Sequence, residues 1–195
     1  LLPFVAYSYD VTSDFPYRDS LPQTHIPKSE WFKPVWGTWG PPAKLLPKPT
    51  IPAKVDRVKW KQARIVAAAK HYIGLPYKRA DGMRGHFPDR GCGLDCSNFV
   101  AWVYNFGLGM KISSDVDVLS RGCKKDLPLQ KGDLIFFNTT PRHVMIYINE
   151  NYVIDSTSTR ESGVQVRDLR KIWNQWCVPD RNNSYYLGGK RFITP

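Results

Sequence analysis

Proline sets the first limit on this chain. Ten of the sixteen prolines fall within residues 1–55, and prolines this dense forbid long helices and central strands. A packed domain therefore has to be built from residues 56–195, and residues 1–55 are expected to form an extended arm and linker. The arm also carries Trp31, Trp36 and Trp39, which are out of place in a purely disordered tail. Two readings stay open for them: aromatics packed onto the main domain, or a surface that stacks on glycan or lines a groove. From Pro41 and Pro42 to Pro52 the composition is that of a stiff linker.

Beyond the linker, helices come first and strands afterwards. Residues 56–73 read as an amphipathic helix with Trp60, Ala63, Val66 and Ala67 on its inner face, ended by Gly74 and Pro76. A glycine-rich loop over 74–94 leads to a second helix over 95–107. Phe99, Val100, Val103 and Phe106 give that helix one apolar face, and Gly107 and Gly109 offer a stop. A short helix is expected near 114–120. Gly132 then opens a run of strands: 133–138, 143–148, 152–157 and 163–166. Asp168 can cap a short helix over 169–177, and a last strand over 185–193 is expected to bulge at Gly188 and Gly189. Helices followed by an antiparallel meander define an α+β fold.

The second helix carries the chemistry. Asp95 is a good N-cap, so Cys96 falls in the first turn. There the unpaired N–H groups and the positive end of the helix dipole favour a thiolate. The same N–H groups can hold the oxyanion formed when the sulfur attacks a carbonyl. A thiol needs a base, and histidine is the natural one. His25 lies in the arm, His71 in the first helix where a structural role is expected, and His86 in the long loop. His143 stands at the head of a strand, where rigid backbone meets a loop.

A third group should orient the imidazole. If Asn149, Glu150 and Asn151 form a three-residue loop, Ile148 faces Tyr152 and Met145 faces Asp155. Side chains alternate along a strand, so Asp155 then shares a face with His143, diagonal to it and within reach. A two-residue loop would put Asp155 on the opposite face.

Charge and cysteine usage narrow the partners. The formal net charge is +11, of which residues 1–55 carry six Lys/Arg and four Asp/Glu, or +2, leaving +9 for the rest. Such a balance suits polyanionic surroundings, bacterial wall polymers among them; no zinc-finger spacing or aromatic–basic signature points to nucleic acid. The four cysteines, Cys92, Cys96, Cys123 and Cys177, are too few for a disulfide scaffold and lack the His partners of a zinc site, so no metal or organic cofactor is expected. A Cys92–Cys96 disulfide would block the thiol and act as a redox switch; otherwise Cys92 is an ordinary loop thiol. No apolar run is long enough to span a membrane. The chain begins at Leu1 rather than Met and is read as a processed or trimmed form, with any export signal out of sight.

Together these residues resemble a known family. Gly74-Leu75-Pro76-Tyr77, then Asp95-Cys96-Ser97, Lys131-Gly132-Asp133-Leu134-Ile135-Phe136-Phe137, His143-Val144-Met145-Ile146-Tyr147-Ile148 and Gly163-Val164 resemble, in order, the NlpC family of bacterial cell-wall cysteine peptidases. The resemblance covers residues 58–193. It implies a papain-like fold, with the nucleophile helix packed on an antiparallel sheet. It also implies hydrolysis of amide bonds in peptidoglycan stem peptides, of the γ-D-glutamyl endopeptidase type, by a monomer in the periplasm or cell envelope. Cys96 carries over as nucleophile, His143 as general base and then acid, and Asp155 takes the third position, where the family often has a second histidine. Tyr77 and Asp95 match the residues that hold the amine in members that need a free amine on the stem peptide, and Ser97 is expected to bind substrate with them. Asn98 replaces the usual glycine, and the loop between Tyr77 and Cys96 is long. A related Cys/His amidase cutting the sugar–peptide link, a wall-binding module without turnover, and an acyltransferase using the same pair are the alternatives.

Overall fold

The computed structural model describes residues 47–73, 77, 95–140, 142–158, 163–177 and 185–195. The tryptophan-bearing arm, Cys92, His25 and His86 lie outside them. Helix α1 (Arg57–His71) begins where the Asp56 carboxylate accepts a hydrogen bond from Lys59 N at 2.9 Å, satisfying one of the N–H groups that a helix start leaves open. Its buried strip is Trp60, Arg64, Ile65, Val66, Ala67, Ala68 and Ala69. Ala63, placed inside by the periodicity, is only partly buried; the strip is wide because α1 lies flat along a second helix. His71 stacks on Phe106 with ring centroids 5.5 Å apart, a packing role.

Helix α2 (Cys96–Leu108) is buried along its whole length and on every side. The expected single apolar face is therefore corrected: α1 covers one side and the sheet the other, so polar Ser97, Asn98 and Asn105 are buried too. Gly107 is not the stop. A Cβ there would sit 3.3 Å from both Ala68 Cβ and Ile65 Cδ1, so glycine lets the two helices touch. Arg64 Nε donates to Gly107 O at 2.5 Å across the same contact. The helix ends at Gly109, with φ 60°, where a left-handed residue suits glycine. A short α3 (Val116–Ser120) follows, capped by Asp115.

Strands β1 (Leu134–Phe137), β2 (His143–Tyr147), β3 (Tyr152–Thr157) and β4 (Gly163–Asp168) form an antiparallel meander. Helix α4 (Leu169–Trp176) is capped by Asp168, and β5 (Tyr186–Lys190) returns to the outer edge of β1, giving the order β4-β3-β2-β1-β5. The last strand is shorter than expected, and its irregularity falls at Leu187, one residue before the glycines: Phe136 pairs with Gly188 but Phe137 with Tyr186. Gly188 has φ +138°, and a Cβ there would lie 2.7 Å from the Lys124 backbone.

Alternation along the strands sorts the core into two layers. Leu134, Phe136, Val144, Ile146 and Ile154 face the two long helices. Ile135, Phe137, Met145 and Val153 face Leu169 and Ile172 of α4. The Lys131-Gly132-Asp133 turn is tied down from both sides: Tyr104 Oη donates to Gly132 O at 2.6 Å, and Arg191 forks onto Asp133 at 2.9 and 2.7 Å. The motif's glycine and aspartate thus have structural work here, joining β1 to α2 and to the chain's last residues.

Candidate active site

Cys96 is the first residue of α2, as the capping argument requires. Its cap is dense: Asp95 Oδ1 accepts from Asn98 N at 2.9 Å, Asn98 Nδ2 at 3.1 Å and Ser97 Oγ at 3.1 Å. The extra amide donor explains what Asn98 does in place of glycine. The Cys96 thiol is free and 8% exposed, with Sγ 4.0 Å from Arg142 O, the outer limit for a sulfur donor.

His143 opens β2, and its register is the one deduced from the loop. Ile146 pairs with Ile154 and Tyr147 with Val153, while Ile148 N donates to Tyr152 O at 3.0 Å. The same register sets Met145 opposite Asp155, so Asp155 and His143 share a face. Across that diagonal His143 Nε2 meets Asp155 Oδ2 at 2.5 Å. With Nε2 engaged there, Nδ1 is the nitrogen left for the Cys96 thiol, which lies within hydrogen-bonding reach of the ring.

The electrostatics follow from burial and charge. Burial alone would lower the imidazole pKa, but the neighbouring Cys96 thiolate and the Asp155 carboxylate outweigh it and raise it to about 10. The arrangement therefore favours a protonated ring at neutral pH. The ring side chain is 13% exposed and Asp155 not at all. Water has little part in holding this pair, and the low local dielectric strengthens it.

Two residues at the site escaped the sequence reading. Arg167 Nη1 donates to Asp155 Oδ2 at 3.0 Å, the same oxygen that His143 uses. Trp176 meets the His143 ring edge-on, centroids 5.9 Å apart, and lies 5.5 Å beneath the Arg167 guanidinium. The signal for Arg167 was the β3–β4 pairing. Asp155 pairs with Gln165, and the residue two further on shares its face, but the strand was expected to stop at Val166. Of the remaining expected site residues, Asp95 and Ser97 are joined to each other beside Cys96, and Tyr77 is partly buried. Among the described residues no cluster of three or more His, Cys, Asp or Glu side chains is arranged to hold a metal ion.

A helix-on-antiparallel-sheet core, with a thiol at a helix start and an imidazole at the head of the next-but-one strand, defines the class: a papain-like domain. The family model for the NlpC/P60 family matches residues 74–182, more than half of the chain. The chain belongs to the NlpC/P60 family, a family of cysteine peptidoglycan hydrolases. Among solved structures it is similar to an NlpC/P60 family protein from Bacillus cereus, with 26% identity and a TM-score of 0.51 over 76% of this chain and 42% of that one. The chain thus spans less than half the length of that relative. It is also similar to the peptidoglycan hydrolase RipB from Mycobacterium tuberculosis, with 19% identity and a TM-score of 0.51 over 77% of this chain and 74% of that one, a likeness of fold. No curated protein matches the chain.

Proposed function

We propose that this domain hydrolyses amide bonds in peptidoglycan stem peptides, with Cys96 as nucleophile, His143 as general base and acid, and Asp155 as the group that orients the ring. The observation that carries the reading is the Asp155–His143 hydrogen bond on a ring that also interacts with Cys96. The Cys96 thiolate adds to the scissile carbonyl carbon. The oxyanion falls among the open N–H groups of the α2 first turn, Cys96 N–H included. The carbonyl re-forms as the C–N bond breaks, and His143 Nδ1–H gives its proton to the leaving amine, producing a thioester. Water, losing a proton to His143, adds to the thioester carbon, and the sulfur leaves as thiolate.

The bond we assign is the one next to γ-D-glutamyl, with Asp95, Ser97 and Tyr77 holding the free amine of the stem peptide. Asp95 beside the sulfur supplies the negative charge that such an amine needs, and the Ser97 hydroxyl, already turned onto Asp95, offers a second acceptor. Peptidoglycan lies outside the cytoplasmic membrane, so we place the working enzyme in the envelope, acting as a monomer. The net charge of +11 suits a surface rich in wall polyanions.

Digestion of free stem peptides with an unblocked amino terminus, alongside intact purified sacculi, with released fragments weighed by mass spectrometry, tests this. Wild-type protein is expected to release peptides with a free γ-D-glutamyl carboxyl, and Cys96→Ala to release none while still pelleting with sacculi. Fragments split at the sugar–peptide link would replace the assigned bond with the amidase reading. Release by Cys96→Ala equal to wild type would refute the nucleophile.

A further inference from the structure

We propose that Arg167 is a positioning residue for the Cys96–His143 pair, acting through Asp155: its guanidinium takes a share of the carboxylate and so limits how firmly that carboxylate holds the ring's proton. The inference rests on the roles given above to Cys96 and His143.

The geometry is lopsided. Both partners fall on Asp155 Oδ2, His143 Nε2 at 2.5 Å and Arg167 Nη1 at 3.0 Å. Among the described residues, Oδ1 is buried without a hydrogen-bond partner. The anion's described interactions are therefore divided between two cations at one oxygen. This is not a solvated surface pair of little consequence: Asp155 is fully buried, and the Arg167 side chain is 16% exposed. The Trp176 indole lies against both the guanidinium and the imidazole and is itself held edge-on by Phe137 at 5.0 Å. One aromatic thus fixes the spacing of the two cations that share the carboxylate.

The charged groups acting directly on the ring are Cys96 from α2 and Asp155 from β3; Arg167 from β4 meets it through the shared Asp155 Oδ2, and α4 adds the uncharged Trp176. Arg142, next in sequence to His143, turns its guanidinium to Asp117 of α3 at 3.1 Å and to Asn138 at 3.2 Å. Removing the Arg167 charge leaves the carboxylate wholly to the imidazolium and takes away a nearby like charge. Both changes strengthen the ring's hold on its proton.

The test is the pH profile of Cys96 alkylation by iodoacetate in the full chain, with mass spectrometry separating Cys96 from the other thiols. Iodoacetate is an anion and reacts best with a thiolate beside an imidazolium, so its rate falls at alkaline pH where the ring loses its proton. Arg167→Met is expected to move that alkaline limb upward by about one pH unit, and Arg167→Lys, which keeps the charge, to restore it to within a few tenths of wild type. A side chain that only ties β4 to β3 would leave the limb in place in both variants. An unmoved limb, or one moved downward, in Arg167→Met overturns the inference alone. A wild-type profile with no alkaline limb overturns the Cys96–His143 reading beneath it. Should Arg167→Met be too unstable to purify, Arg167→Gln, which keeps a donor but no charge, reads the same limb with the same expected direction.

Discussion

Replacing Asp155 by asparagine removes one charge and almost no volume, and its consequences can be worked through from the contacts. Asp155 is fully buried and holds two cationic partners at 2.5 and 3.0 Å. The amide oxygen of the substituted side chain can still accept from His143 Nε2–H, so the ring's orientation is largely kept. What is lost is the charge. Arg167 keeps some contact with water, so the stability loss falls toward the lower end of the range for breaking a buried pair, about 3 kcal/mol. The ring, raised to about 10 by Cys96 and Asp155 against burial, loses one of its two supporting anions. An opposite charge at this range is worth about 1–3 pH units, so the alkaline limb of the peptide-cleavage profile should drop by that amount, the reverse of the Arg167→Met shift. Linkage adds a second reading. The ring's folded pKa lies above its ordinary value of 6.5. The stability it gains from Asp155 is therefore complete below pH 6.5 and is lost as pH rises through about 10. Urea unfolding of wild type and Asp155→Asn should show a stability gap that narrows between those limits, leaving the part due to Arg167. An alkaline limb that stays in place in Asp155→Asn, with a stability gap independent of pH, would show that the carboxylate does not act on the ring at all.

Two further substitutions test the frame around the site. Gly188→Ala sets a Cβ 2.7 Å from the Lys124 backbone at a φ of +138°; it should cost at least about 2 kcal/mol in thermal or urea unfolding. Asn98→Gly removes the Nδ2 bond to Asp95 and loosens the first turn of α2. It should lower stability by about 1–2 kcal/mol while peptide release is kept, because the backbone N–H at position 98 still donates to Asp95.

The geometry of the Cys96–His143–Asp155 group was open to reading because it depends on quantities a sequence states directly. A capping residue fixes where α2 starts, and a loop of three residues fixes which strand face Asp155 occupies. Arg167 was hidden for the opposite reason: residues 158–162 contain no turn dipeptide that states their length, so the β3–β4 register and the end of β4 could not be counted. The burial of α2 on all sides was hidden too. A helix rich in Phe, Val, Trp and Tyr has the same period whether one face or every face is covered; only α1 on one side and the sheet on the other decide it. Gly107 was misread as a terminator for a related cause. A glycine near a helix end signals a stop when the chain is considered alone, but a contact when Ala68 lies 3.3 Å from where its Cβ would be.

In the roles proposed above, Asp155 stands where the resembled family often has a histidine, and a carboxylate there changes the charge balance of the whole site. A neutral imidazole at that place needs no counterion, whereas a fully buried carboxylate does. His143 meets that need only while it carries a proton, and a group that acts as both base and acid must give the proton up in every cycle. Arg167 carries its charge throughout. With it on the same oxygen, Asp155 faces a cation in both halves of the cycle, and the buried charge does not have to be compensated by the reacting ring alone. The departure at Asp155 is thereby tied to a residue two strand positions beyond the β3–β4 register partner Gln165. On the same proposal helix α4 bears on the site as well, through the Trp176 indole that packs on both His143 and Arg167.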